Sequence, residues 1–240
     1  VSARSMSGAG ITDAAPSVVT GSLIRASDVD EAAGRWPQYE AGLRWLDDFV
    51  TQPHPELGRP GAVCPRLAPA LHARAVWLAT VDVPAYTADQ AVLAGRLLMQ
   101  LFNDLARQSD RADTTLLGFF PDLPADRAAD FIDGGHRLLR NEFAAHGLML
   151  GEFHQASTVG SVHNRALPVM RSPEPMFAVR TMTPHDLLFA DQPDTPPAER
   201  LAYLLHFDRH VSARLSSAAR TQLYARIAAA RTASRTGASS

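Results

Sequence analysis

The stretch GEFHQAST, Gly151 to Thr158, holds the side chains best suited to chemistry. Alternation along a strand puts Glu152 and His154 on one face and Phe153 on the other. A histidine at a strand end, followed by small residues that leave space beside it, suits an axial iron ligand or a general base. The competing role is a satisfied surface or capping histidine. His163 and Asn164 follow in the stretch VGSVHNRALPVMRSPEPM, where polar side chains can wall a pocket. Asn164 would hydrogen-bond a bound ligand there, or close an Asx-turn.

Arg171 and Arg180 carry planar forks that hold carboxylates, whether haem propionates or a substrate's, or else lie solvated on an edge strand. Cys64 precedes a proline, as thiolate ligands do at some haem sites; unused, it is a small inert hydrophobe. Glu152, His154 and His163 also supply the types for a site of two histidines and one carboxylate. His54 is fixed between two prolines. His72, His136, His146 and His206 read as structural, and His185 and His210 have no neighbours that argue for a role.

The elements that must position these residues are legible from periodicity and punctuation. Residues 1–26 read as a loose tail. Residues 27–50 begin at a Ser/Asp cap and place Trp36, Leu43, Trp45, Leu46 and Phe49 at helical spacing interrupted by Pro37. TQPHPELGRPGAVCPRL, with four prolines and two glycines, is a shaped loop. ARAVWLATVDVP reads as a strand and YTADQAVLAGRLLMQLFNDLARQ as an amphipathic helix capped by Thr87 and Gln90. TTLLGFFP is a second strand. The helix after it ends at His146 and Gly147, and LMLGEFH is a third strand. ALPVM and MFAVRTM read as a strand pair around the turn RSPEP, and two helices close the chain, with 234–240 a disordered tail. The expected fold is one α+β domain over 27–233, with a mixed sheet, a β-α-β-α-β core, ferredoxin-like in its middle, and C-terminal helices packed on it.

Composition removes whole classes of function. At 46% hydrophobic, 240 residues can bury a real core. The net charge of −2 suggests neither nucleic acid nor an anionic membrane as partner. All 23 basic residues are arginine, so Schiff-base and P-loop lysines are excluded. The one cysteine excludes an internal disulfide and a four-cysteine metal site. No dinucleotide fingerprint and no GxSxG elbow is present. With no span-length apolar run and no signal pattern, a cytoplasmic protein is expected.

Taken together, HPELGRPGAVCP, GEFH, HN and RSPEPM, ordered between about Trp36 and Arg209, make the chain resemble a family of uncharacterised actinobacterial proteins often encoded beside natural-product genes. More distantly it is similar to the YqcI/YcgG family of haem proteins. Here Gln155 replaces that family's proline after the histidine, and the Pro-Cys order is inverted at Cys64. The resemblance implies haem b held by His154, with His163 or Asn164 steering the distal ligand and Arg171 and Arg180 holding carboxylates. It implies a haem-dependent, N-oxygenase-like enzyme of natural-product metabolism that oxidises or rearranges a small nitrogen-containing substrate. Two other readings stay open: a cofactor-free or non-haem-metal enzyme using His154 and Glu152, and a non-catalytic pathway binding protein. A homodimer is the assembly considered.

Overall fold

Near-continuous runs of buried residues, the mark of strands covered on both faces, make β2 (Val76–Asp82) and β3 (Thr115–Phe119) in the computed structural model. That structure describes residues 18–31, 37–190 and 195–237. Between β2 and β3 runs the helix Ala88–Leu105, begun where the Thr87 side chain accepts the Gln90 N–H at 3.3 Å. A π-turn, Ala129–Asp133, leads into the helix Gly134–Ala145, and β4 (Leu148–Phe153) follows at once. The last strand is β5 (Met176–Thr181).

The sheet has five strands in the order β1-β2-β3-β5-β4, with β1 at Val19–Arg25. β2 and β3 pair in parallel and the other neighbours are antiparallel. The fold is therefore α+β with a mixed sheet. Its β-α-β-α-β core carries one insertion: β5 lies between β3 and β4, and Phe177 and Val179 bury there beneath the two helices.

In chain order the helices are α1 (Pro37–Trp45), α2 (Leu67–His72), α3 (Ala88–Leu105), α4 (Gly134–Ala145), α5 (Pro197–Val211) and α6 (Ser217–Gly237). Helices α3 and α4, with the π-turn that precedes α4, cover one sheet face through Leu98, Phe102, Phe131 and Phe143. The opposite face meets Tyr39 and Leu46 from the α1 region and Leu67 and Ala70 of α2. Helices α5 and α6 close a third cluster around Tyr203, Phe207 and Leu223, packed on Ala144 of α4 and on Met182 beyond β5.

Several sequence expectations need correction. Residues 19–25, assigned to a loose tail, form β1, because their backbone completes the edge of β2. Residues 234–237 continue α6 and are not part of a tail. ALPVM forms no strand; MFAVRT pairs instead with β3 and β4. Pro37 is the first residue of α1 among the described residues, a position where its missing N–H costs nothing. Residues 1–17, Trp36 and 238–240 lie outside the described residues. Among the described residues no helix is long and apolar enough to cross a membrane.

Candidate active site

α4 and β4 are joined by a tight turn at His146 and Gly147, the glycine holding a φ of 70°. A helix advances about 1.5 Å per residue and a strand about 3.3 Å. Counting back from Ala145 to Asp133, and forward from Leu148 to His154, covers about 18–20 Å either way. The two arms of this hairpin therefore end together. Asp133, His136 and Arg140 fall on one helical stripe at i, i+3 and i+7. That stripe lies over Glu152 and His154, which share the face of β4 that buries Leu148 and Leu150.

Two carboxylate–imidazole pairs bridge the helix and the strand, crossed in sense. Asp133 of the helical side meets His154 of the strand side, with Nε2 3.1 Å from Oδ1 and 3.3 Å from Oδ2. His136 of the helix meets Glu152 of the strand, Nδ1 against Oε2. The tautomer that satisfies Asp133 has Nε2–H of His154 donating to the carboxylate. That leaves Nδ1, which is buried and has no hydrogen-bond partner. His154 is only 1% exposed, whereas the Asp133 side chain is 36% exposed. The carboxyl thus faces solvent with the imidazole behind it.

The electrostatics follow from that placement. Burial raises the Asp133 pKa above the ordinary carboxylate value; His154 pulls the other way without offsetting it, and the negative charge of Glu152 adds to the rise. Arg140, one turn further on, is held by the Phe189 carbonyl and by Thr195 Oγ1 at 3.1 Å, with its guanidinium 4.6 Å from the centre of the Tyr203 ring. Burial lowers its pKa, and the nearby Glu152 acts in the opposite direction.

Of the residues expected at a pocket, the structure brings Glu152 and His154 together as strand alternation requires. The others lie elsewhere. Arg180 is taken by Asp186, with bonds of 2.8 and 2.6 Å to its two carboxylate oxygens, so its fork is not free for a propionate or a substrate. Cys64 packs against the core on the sheet face opposite that of His154, so the two cannot serve one iron. Arg171 is exposed; its backbone bridges His154, and its Nε donates to the Ser157 carbonyl at 3.4 Å.

His163 is exposed. Asn164 closes an Asx-turn on the Ala166 N–H at 3.1 Å and donates to the Glu56 carbonyl at 2.7 Å. The stretch from Val159 onwards is thus a clamp onto the loop at 51–66, where a pocket wall was expected. Gly58 is what lets the two loops meet. Its φ is 79°, and a Cβ there would sit 3.0 Å from the His163 Cβ and 3.1 Å from its carbonyl oxygen. Gly58→Ala is expected to cost about 1–3 kcal/mol from left-handed backbone strain and the forced separation. Urea unfolding checks this, and an unchanged midpoint would show that the contact is dispensable.

A haem needs an open, mostly apolar cavity beside a free ligand nitrogen. His154 instead turns Nε2 to a carboxylate and keeps Nδ1 buried. The propionate and second-ligand candidates are dispersed over both sheet faces, so these residues do not fit the group. Among the described residues no three His, Cys, Asp or Glu side chains converge to hold a metal ion.

Asp133 and His136 were missed by sequence reasoning. The signal was available in the helix–Gly–strand hairpin, whose two arms can be counted out to equal length.

A family model for a domain of unknown function, DUF6875, matches residues 40–218. The chain belongs to the DUF6875 family. No curated protein and no solved structure matches it. The four residues of the crossed pairs lie inside the DUF6875 region, whereas β1 and all but the first two residues of α6 lie outside it.

Proposed function

We propose that the protein is a cofactor-free enzyme of proton transfer, acting on a small molecule at the Asp133–His154 pair. One observation carries this reading: a solvent-facing carboxyl, its pKa raised, is bonded through both oxygens to a histidine that is itself fully buried. A carboxyl whose pKa is raised is a stronger base than an ordinary carboxylate, which suits it to take a proton from a substrate. His154 orients the carboxyl and stabilises its charged form when the substrate proton has been released. Glu152 favours the protonated form. The His136–Glu152 contact fixes the helix start against the strand end, so Asp133 has one geometry. Perturbed carboxyl–histidine sites of this kind are frequent at active centres, which supports the reading.

The test is a panel of small esters, amides, lactones and carbonyl compounds, followed by hydrolysis and by deuterium uptake from D2O. The expected result is an activity present in the wild type and lost in Asp133→Asn and in His154→Ala. An activity that survives in Asp133→Asn contradicts the proposal. The haem-dependent N-oxygenase implied by the resemblance is tested alongside it by a visible spectrum after expression with a haem precursor. No Soret band is expected; a band lost in His154→Ala would move the assignment to iron.

A further inference from the structure

Charge is distributed unevenly along the chain. Of the 23 arginines, six lie from Arg209 to the end with no aspartate or glutamate among them, and the other 17 stand against all 25 acidic residues. Most of that basic stretch is α6, which carries Arg220, Arg226, Arg231 and Arg235. Leu223, Ile227 and Ala230 turn one face of α6 into the cluster it shares with α5. Arg220, Tyr224 and Arg231, at i, i+4 and i+11, line up on the outward side, and all three are exposed. Arg220 and Arg231 stand three turns apart, about 16 Å along the helix axis.

Helix stability does not explain these arginines. The first turn of α6 holds no acid to meet the helix dipole, and Arg220 closes that turn at its positive end. With no acid in α6, no arginine there has a carboxylate one turn away on the same helix, the pairing that supports an exposed helix. Among the described residues Arg209, Arg214, Arg220 and Arg231 enter no ion pair. Arg214 and Arg220 reach only carbonyl oxygens, those of Met182 at 2.8 Å and Leu215 at 3.5 Å. Their surroundings are cationic as well. Burial lowers the His206 pKa on α5, and the charges that act on it, His210, Arg209 and His146, all lower it further.

What fits this face follows from its charge and shape. A second α6 carries the same charges and is repelled. A bilayer is not matched, because the apolar side of α6 is already buried and Tyr224 is the one large apolar side chain exposed among its described residues. A long polyanion such as a nucleic acid would run past the acid-rich remainder of the chain. A short acidic helix meets the arginines alone. Beside them Ala225, Ala228 and Ala229 are exposed and small, which lets a second helix approach to about 8–10 Å between axes.

We propose that the outward face of α6 docks an acidic helical segment of a partner protein, with Arg220 and Arg231 as its anchoring cations and Tyr224 between them. The surface is separate from the proton-transfer pair and does not rest on that assignment.

The test is fluorescence anisotropy and amide NMR on the full chain with a labelled helical peptide built of Glu-Ala-Ala-Glu-Leu-Ala-Ala repeats. Its Gln-for-Glu counterpart, a DNA duplex of similar length and phosphatidylglycerol vesicles are compared with it. The acidic peptide is expected to bind most tightly of the four, to weaken as salt is raised, and to shift the amides of Tyr224, Ala225 and Ala228. In Arg220→Gln/Arg231→Gln the affinity is expected to fall about 3- to 30-fold, as for two lost surface ion pairs, while Tm stays level or rises. The same charge change at the exposed Arg127 and Arg165 is expected to leave binding as in wild type. An acidic peptide that does not bind overturns the proposal. So does an equal loss in Arg127→Gln/Arg165→Gln, which would make binding an effect of net charge. Tighter binding of the duplex or the vesicles than of the peptide overturns it in favour of that polyanion.

Discussion

Asp133→Asn is expected to lower turnover by about 10²- to 10⁴-fold, the usual contribution of a positioned acid or base, while the protein stays folded. Asparagine keeps an oxygen that accepts the His154 Nε2–H, so the geometry of the pair is retained and only the proton is lost. Stability should move in the opposite sense to activity. The folded state raises the Asp133 pKa, so the folded chain holds that proton more tightly than the unfolded chain. The resulting stabilisation is complete below the unfolded value of about 3.9 and is lost as pH rises through the folded value. Asp133→Asn should therefore gain in Tm relative to wild type between pH 4 and pH 7. A Tm difference that shrinks over that range would show that Asp133 is a salt-bridge residue whose pKa folding depresses.

Arg180→Leu is expected to be the most destabilising of these substitutions, at about 3–5 kcal/mol, the cost of removing one partner from a buried ion pair. Asp186 is fully buried, and its carboxylate accepts from the Thr183 N–H at 2.6 Å and the Thr183 hydroxyl at 3.2 Å as well as from Arg180. Burial alone would lower the Arg180 pKa, but the Asp186 carboxylate outweighs it and holds the guanidinium charged. Without Arg180 the carboxylate keeps the two Thr183 donors and loses its countercharge. Arg180→Lys should recover part of the loss, because it returns charge without the fork. A chemical-denaturation midpoint within 1 kcal/mol of wild type, converted by the common m-value, would contradict the assignment of Arg180 as a structural cation.

Arg180 also shows where sequence reading reached its limit. Its place in a strand was legible from MFAVRTM, but the partner lies six residues on in a turn, and nothing local in TPHD says that Asp186 folds back beneath the sheet. Glu152 and His154 were legible as a same-face pair because strand period alone fixes it. Asp133 and His136 were not, since their role depends on a helix lying antiparallel to the strand that follows it. Periodicity gives each arm separately and gives their overlap only when the turn is recognised. β1 was invisible for another reason. VTGSLIR carries a glycine and polar residues and has exposed Val19 and Leu23; its pairing to β2 comes from the backbone of a covered neighbour rather than from its own pattern. Asn164 had two readings from sequence, and the Asx-turn is the one the loop adopts.

The most direct test of the proton-transfer pair is a ¹³C carboxyl NMR titration of Asp133 in wild type, Glu152→Gln and His154→Ala. The expected wild-type midpoint lies above the ordinary carboxylate value of about 3.9, moving down when the Glu152 charge is removed and further up when His154 is removed. A wild-type midpoint at or below that value, unmoved by either substitution, would mean that Asp133 is an ordinary surface carboxylate and that the pair does not carry a proton.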